Sequence, residues 1–139
     1  FYHSDQPWGE FSNFSKHSIY IDGINWLTAE HYYQAQKFIE SELKEKIRLT
    51  ETPTLAKVTA TEMKNLRRTD WAEIKQDVML KALRGKFRQH PELAKLLLST
   101  VQKRLVESTS NDTFWGESLD GIGQNMLGEL LMLVRTELE

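Results

Sequence analysis

Apolar and polar residues recur with a helical period in the first third of the chain. The spacing predicts a long helix from about Ala29 to Leu49, and Thr28 has the side chain of an N-cap. The predicted apolar stripe consists of Tyr32, Ala35, Ile39, Leu43 and Ile47. The opposite face carries Glu30, Gln34 and Lys37. The pattern therefore predicts an amphipathic helix with one buried and one solvated face.

A short β-hairpin is predicted ahead of this helix. Residues 18–26 contain two short apolar stretches joined by Asp22-Gly23, which is a strong hairpin signal. The preceding segment, Phe1 to Phe14, is rich in aromatic residues and has no useful periodicity. We expect it to be ordered without regular secondary structure.

Helix-start signals recur through the rest of the chain. Pro53 and Pro91 are typical of first helical positions, and Asp70 with Glu73 resembles a capping box for a helix that ends near His90. The last predicted helix has a core face made of Leu127, Leu130, Leu131, Val134 and Leu138. The sequence thus predicts a single, mainly α-helical domain over residues 1–139, with a small β-hairpin near the N-terminus.

Composition narrows the function classes. The chain has no cysteine, so thiol nucleophiles and cysteine zinc sites are excluded, and we expect a cytoplasmic protein without a membrane span. The net charge of −2 is unevenly distributed, because residues 57–104 hold twelve Lys or Arg against five Asp or Glu. Solvated helix faces explain such a segment most simply, but it also suits a phosphate-bearing small ligand.

Metal-binding spacing is missing around His31, which follows Glu30. A helical zinc motif needs a second histidine four residues away, and positions 27 and 35 are Leu and Ala. We therefore expect no metal and no cofactor. A glycine-rich loop over residues 111–125 contains Gly121 and Gly123, whose backbone could approach a phosphate, although a flexible loop capped by Asn125 is the simpler interpretation.

Glu30, Gln34 and Lys37 form the most suggestive cluster. Their spacing of four and three residues places the side chains on one part of a helix surface. A carboxyl can transfer protons, an amide can hold a hydroxyl, and an amine with a lowered pKa can attack a sugar anomeric carbon. From periodicity alone, an ordinary solvated face remains the simpler interpretation. Aromatic residues that could stack on a base, but more often form core, are Trp8, Phe11, Phe14, Trp26 and Trp115.

Several literal motifs resemble one known family. The motifs are Phe11-Ser12-Asn13-Phe14, Thr28-Ala29-Glu30-His31-Tyr32-Tyr33-Gln34-Ala35-Gln36-Lys37-Phe38, Leu66-Arg67-Arg68 with Trp71, Asn111-Asp112 with Trp115-Gly116, and Gly123-Gln124-Asn125 with Leu127-Gly128. Together they resemble the NADAR superfamily of YbiA-like proteins, in the right order and over nearly the whole chain. The resemblance implies a mainly helical YbiA-like domain with N-glycosidase activity on ribosyl compounds.

The resemblance also implies substrates and site residues. The substrate classes are ribosylamino-pyrimidine phosphates of riboflavin biosynthesis and ADP-ribose attached to guanine in nucleic acid. Glu30 matches the family's essential glutamate, and Lys37 matches its lysine, which is thought to react with ribose C1. Asn13, Asp112, Trp115, Asn125 and Gly128 match the family's pocket-lining pattern. With the residues that their chemistry or motif adds, the expected substrate-binding residues are Asn13, Phe14, Gln34, Arg67, Arg68, Asp112, Trp115, Gly116, Gly123, Asn125 and Gly128. The two arginines and the glycine loop are the phosphate candidates.

Two expectations about protonation follow. Attack by Lys37 requires a neutral amine, so burial or nearby positive charge should lower its pKa. Glu30 lies near a predicted helix N-terminus, where the macrodipole favours an ionised carboxylate. The main alternative is a module that binds ADP-ribose or NAD without turnover, and a weaker one is sequence-unspecific nucleic-acid binding, which the negative net charge disfavours.

Overall fold

The computed structural model describes residues 1, 8–109 and 111–139. Positions 2–7, which include His3 and part of the predicted aromatic segment, lie outside the described residues, as does position 110. The described chain forms β1 Ile19–Ile21, β2 Ile24–Trp26, α1 Ala29–Ala35, α2 Ser41–Arg48, α3 Pro53–Glu62, α4 Trp71–Gln89, α5 Pro91–Ser99 and α6 Met126–Leu138. The predicted fold class, mainly α with a small hairpin near the N-terminus, is confirmed. No helix in these ranges is long and apolar enough to cross a membrane.

The hairpin has the register that its turn predicts. Strands β1 and β2 pair antiparallel, with Ile19 opposite Trp26 and Ile21 opposite Ile24. Asp22 and Gly23 both have positive φ, at 53° and 81°, as a tight type I′ turn requires. The Asp22-Gly23 turn therefore determines both the position of the hairpin and the pairing of its strands.

The predicted continuous helix from Ala29 to Leu49 is wrong. Helix α1 ends at Ala35, and α2 begins only at Ser41. The amides of Lys37 and Phe38 donate to carbonyls three residues back, which tightens and ends the helix. Phe38 is fully buried, whereas Ile39, assigned to the apolar stripe, is 65% exposed. Burial of Phe38 thus accompanies a turn that a continuous helix could not make.

Two compact units make up the described chain, one of residues 13–86 and one of residues 1–12 with 87–139. The first unit contains the hairpin, α1 to α3 and most of α4. Every residue of α1 is buried, so this helix has no solvated face. Its hydrophobic cluster consists of Ile19, Ile21, Trp26, Ala29, Tyr32, Ala35, Phe38, Ile47, Ala56, Ala60 and Ala82.

The second unit is built around α5 and α6, which pack on each other. Pro91 begins α5 as predicted. Four of the five predicted core residues of α6 are buried, while Leu138 is only half-buried. The buried Arg135 guanidinium donates to the Thr100 hydroxyl and the Lys103 carbonyl, both at 2.8 Å, so its charge is bonded inside the unit.

Candidate active site

The start of α1 is held by a buried Thr28–His31 pair. The Thr28 hydroxyl accepts the His31 backbone N–H at 3.2 Å, which confirms the predicted N-cap. The same hydroxyl lies 2.8 Å from His31 Nδ1, and His31 Nε2 lies 3.0 Å from the Thr50 carbonyl. Since a carbonyl only accepts, Nε2 carries the proton and Nδ1 accepts from Thr28. Burial lowers the pKa of His31, which keeps the ring neutral and both nitrogens engaged.

Glu30 follows directly in the first turn of α1 and is buried, with 7% of its surface exposed. Its backbone N–H donates to the Asn13 carbonyl at 3.1 Å, and its carboxyl Oε1 accepts from Gln34 Nε2 at 2.7 Å. Burial raises the pKa of the Glu30 carboxyl, while the Gln34 hydrogen bond and the charges of Lys37 and Lys57 act against this rise without cancelling it. The helix terminus, which was expected to favour an ionised carboxylate, therefore does not decide the direction of this shift, because removal from water outweighs the dipole of a seven-residue helix.

Lys37 lies in the turn that ends α1. Its carbonyl accepts the Arg68 backbone N–H at 2.8 Å, which ties this turn to the segment before α4. The Lys37 Nζ atom lies 5.4 Å from the ring centroid of Tyr33 and 5.9 Å from that of Trp71. The two rings meet edge to face with centroids 5.2 Å apart, so two aromatic walls flank the amine.

This environment lowers the pKa of Lys37 from the usual 10.5 to about 8. Burial is the main cause, and the positive charge of Arg67 adds to it, followed by Lys57 and Lys75. The negative charge of Glu30 acts in the opposite direction. The predicted lowering of the Lys37 pKa is confirmed, and a useful fraction of the amine is neutral near physiological pH.

The two predicted phosphate-binding arginines have different surroundings. The Arg68 guanidinium donates to both carboxylate oxygens of Asp70, at 2.6 and 3.1 Å. The Asp70 side chain therefore pairs with Arg68 and does not form the predicted capping box. Arg67 is exposed and forms no ion pair with any residue that the structure describes. Of the two, Arg67 has the side chain ready to meet an anion.

Asp112, Trp115 and Gly116 lie in the second unit and shape a loop there. The Asp112 carboxylate accepts the backbone N–H groups of Phe114 and Trp115 at 3.1 and 3.0 Å, and its carbonyl accepts the Gly116 N–H. The half-buried Trp115 ring packs edge to face on Phe114, with centroids 4.7 Å apart. These contacts give Asp112 a structural role as a turn-forming residue.

Asn125 and its neighbouring glycines form close contacts at the start of α6. Asn125 occupies the N-cap position of α6 as predicted, but its backbone is left-handed and its side chain makes no capping hydrogen bond to the helix. Its side chain instead donates to the Leu105 carbonyl at 2.8 Å and accepts the Glu107 N–H at 2.9 Å. A Cβ at Gly128 would overlap the Leu105 carbonyl, and Gly123 has a φ of 134° that disfavours other residues.

Sequence reasoning missed the two rings beside Lys37 as parts of the site. Tyr33 lies four residues before Lys37, a spacing that places it nearby on a helix, whereas Trp71 comes close only through the fold. Among the aromatic stacking candidates, Phe11 and Trp26 are buried core residues. Phe14 is half-buried next to Asn13. Among the described residues, no group of three His, Asp or Glu is arranged to bind a metal.

Fold and site together define a mainly helical protein that holds a buried carboxyl and a lysine of lowered pKa within one helix and its terminal turn. The model of the NADAR domain matches residues 1–139. The chain belongs to the NADAR domain family.

Relatives within this family have named activities. The Escherichia coli (strain K12) N-glycosidase YbiA is 45% identical over 138 residues, which cover 99% of this chain and 86% of that protein. An NMR structure of E. coli YbiA matches with a TM-score of 0.90 at 45% identity, covering 99% of this chain and 82% of that one. A riboflavin biosynthesis protein of Vibrio vulnificus is 42% identical over 139 residues, which span this chain fully and 38% of that protein. N-glycosidases are hydrolases, so this chain is a hydrolase of an N-glycosidase family.

Proposed function

We propose that this chain hydrolyses the N-glycosidic bond between ribose and a base in a ribosyl compound that carries a phosphate. The observation that carries the proposal is the pair of Glu30 and Lys37, whose pKa values burial moves in opposite directions. A raised pKa favours a carboxyl that keeps its proton, and a lowered one favours an amine that has lost it. Such a pair supplies both an acid and a nucleophile.

Two substrate classes fit this chemistry. One is the ribosylamino-pyrimidine phosphates of riboflavin biosynthesis, which the name of the Vibrio relative supports. The other is ADP-ribose attached to guanine in nucleic acid. Both present a ribose C1–N bond and a phosphate group. The partner is thus a small ribosyl phosphate, or an ADP-ribosylated nucleic acid that presents the same group.

In the first step, the Glu30 carboxyl gives its proton to the departing base nitrogen as the C1–N bond breaks. The bonding electrons leave with the base, and positive charge develops at C1. The neutral Lys37 amine attacks C1 and forms a C1–Nζ bond. The Glu30 carboxylate then removes a proton from Nζ, which restores the carboxyl.

In the second step, the sugar ring opens as the C1–O4 bond breaks, and O4 receives the proton from Glu30. The product is a protonated imine between C1 and Nζ. Water adds to C1, the C1–Nζ bond breaks, and the freed proton returns to Glu30. The balance is one water consumed, with ribose phosphate and free base released and both side chains restored.

Arg67 is the proposed phosphate contact, because it is exposed and its charge acts on Lys37. Arg68 contributes through its backbone, which bonds to the Lys37 carbonyl, and its guanidinium is held by Asp70. Substrate contacts by Asp112, Trp115, Gly116, Gly123, Asn125 and Gly128, and by Phe14, stay predictions from the family resemblance.

The testing experiment incubates the protein separately with ADP-ribosylated guanine and with a ribosylamino-pyrimidine phosphate, and follows base and sugar by mass spectrometry. Release of both products from at least one substrate supports the proposal, and the identity of that substrate decides the class. Lys37→Met provides the inactive control. If ADP-ribose binds but neither substrate is cleaved, the protein is a non-catalytic binding module instead.

A further inference from the structure

Two buried amides beside Glu30 lack part of their hydrogen bonding. Gln34 and Asn13 are 3% and 7% exposed, and neither Gln34 Oε1 nor Asn13 Oδ1 has a hydrogen-bond partner among the described residues. Buried amide oxygens are almost always bonded in native proteins, because leaving one without a donor costs free energy. Two such atoms on residues that both bond to Glu30 therefore need an explanation.

The orientation of Gln34 is set by Glu30. Its Nε2 donates to Glu30 Oε1 at 2.7 Å, so its oxygen is the end that remains without a donor. The Asn13 amide makes one contact, from Nδ2 to the Met79 sulfur at 3.2 Å, and a thioether is a weak acceptor. Exchange of its oxygen and nitrogen would still leave one amide atom without a partner.

Both residues touch Glu30 directly. Asn13 holds the Glu30 backbone N–H through its own carbonyl, and Gln34 holds the carboxyl. A group that satisfies the Gln34 oxygen therefore lies close to the acid, and Asn13 is joined to the same residue through its backbone. The group must be a donor, which excludes a phosphate and an ionised carboxylate.

We propose that Gln34 Oε1 and Asn13 Oδ1 accept hydrogen bonds from the 2- and 3-hydroxyls of the substrate ribose, so that the site selects ribosyl over deoxyribosyl compounds. The inference rests on the proposed function, since it takes ribose as the group beside Glu30. The cis-diol of ribose offers two O–H donors, one for each of the two acceptors. A hydroxyl bonded to Gln34 Oε1 also polarises the amide and strengthens its N–H bond to Glu30.

The expected discrimination follows from the cost of a buried acceptor without a donor. Loss of one hydroxyl should weaken binding roughly 5- to 150-fold. The probes are 1,4-anhydroribitol 5-phosphate and its 2-deoxy and 3-deoxy counterparts. They keep the ring and the phosphate but carry neither a hydroxyl nor a base at C1, so they cannot form an imine with Lys37, and binding is measured without turnover.

Calorimetric titrations of wild type, Gln34→Met and Asn13→Leu with the three probes test the inference. Both substitutions keep side-chain size and remove the amide. Wild type should prefer the diol probe over each deoxy probe, and each variant should lose the preference for one hydroxyl. Gln36→Met, two residues beyond Gln34 and half-buried, is the matched control and should keep both preferences.

Thermal unfolding adds a readout that separates recognition from a structural role. Because the Asn13 amide is underbonded in the free protein, Asn13→Leu should melt at or above the wild-type temperature, whereas Gln34→Met also loses the bond to Glu30 and should melt somewhat lower. Unchanged discrimination in both variants, or equal affinity of wild type for all three probes, overturns the inference. If the probes are discriminated as expected but no substrate is hydrolysed, the ribose recognition stands and the proposed function fails. If a substrate is hydrolysed but the probes bind equally, the proposed function stands and the ribose recognition fails.

Discussion

Replacing Lys37 by Met should stabilise the folded protein at neutral pH and have little effect at high pH. The pKa of Lys37 is about 8 in the folded protein and near the usual 10.5 when the chain is unfolded. Below pH 8 the amine is charged in both states, so the folded state bears the whole cost of holding an ammonium away from water. Above pH 10.5 the amine is neutral in both states, and this cost disappears.

The magnitude follows from the two pKa values. Each unit corresponds to about 1.4 kcal/mol, so the fall from 10.5 to about 8 gives an upper value of about 3 kcal/mol. Water screens part of this cost because Lys37 is only half-buried, and we expect about 1–3 kcal/mol in favour of Lys37→Met at pH 7. Met has a similar length and no charge, so it should not leave a large cavity.

Urea unfolding of wild type and Lys37→Met at pH 7 and at pH 11 measures the difference. The stability of wild type relative to the variant should rise between pH 8 and 10.5, because the unfolded chain binds more protons in that window. Lys46→Met, at an exposed position of α2, is the control and should show a small difference at both pH values. A Lys37→Met variant that is less stable than wild type at pH 7 would refute the assigned environment of Lys37. A stability difference from wild type that is the same at pH 7 and pH 11 would refute it as well.

Three further outcomes are expected. Borohydride added during turnover should leave a reduced sugar adduct on Lys37, detected by peptide mass spectrometry; substrate consumption without an adduct would indicate direct attack by water. Removing a neighbouring cation raises the pKa of Lys37, so Arg67→Gln should raise the midpoint pH of borohydride trapping with ribose 5-phosphate above pH 8 by roughly half to one unit. Arg67→Lys keeps the charge and should not shift the midpoint. Equal midpoints for wild type and Arg67→Gln would show that Arg67 does not lower the Lys37 pKa. Gly128→Ala should lower the unfolding free energy by roughly 1–3 kcal/mol or more, because its Cβ overlaps the Leu105 carbonyl, and Gly121→Ala, with open space but a φ of 83°, should cost less in chemical denaturation.

Local signals in the sequence predicted the elements that local chemistry determines. The Asp22-Gly23 turn fixes the hairpin, and Thr28, Pro53 and Pro91 mark helix starts correctly because each acts within one turn of its own position. The end of α1 was not predicted. It depends on the burial of Phe38 in the hydrophobic cluster, a tertiary contact that periodicity does not encode.

Some features of the candidate site could likewise be predicted from local sequence, and others depend on tertiary contacts. The motif around Glu30 and Lys37 identified both proposed catalytic residues, and the lowering of the Lys37 pKa followed from the requirement for a neutral amine. The raised pKa of Glu30 was not predicted, since its helix position was visible in the sequence and the burial of its side chain was not. Trp71 approaches Lys37 through the backbone bond from Arg68 to Lys37, which only the folded chain provides.

The most direct test of the catalytic assignment is the single-turnover rate of Glu30→Gln. Glutamine keeps the size of the side chain and an oxygen that can accept the bond from Gln34, but it cannot transfer the proton. We expect a rate lower by about 10²- to 10⁴-fold, as is typical for loss of a general acid, with thermal stability equal to or above that of wild type. Glu42→Gln, at an exposed position of α2, should leave the rate unchanged. A Glu30→Gln variant that cleaves substrate at the wild-type rate would contradict the assignment.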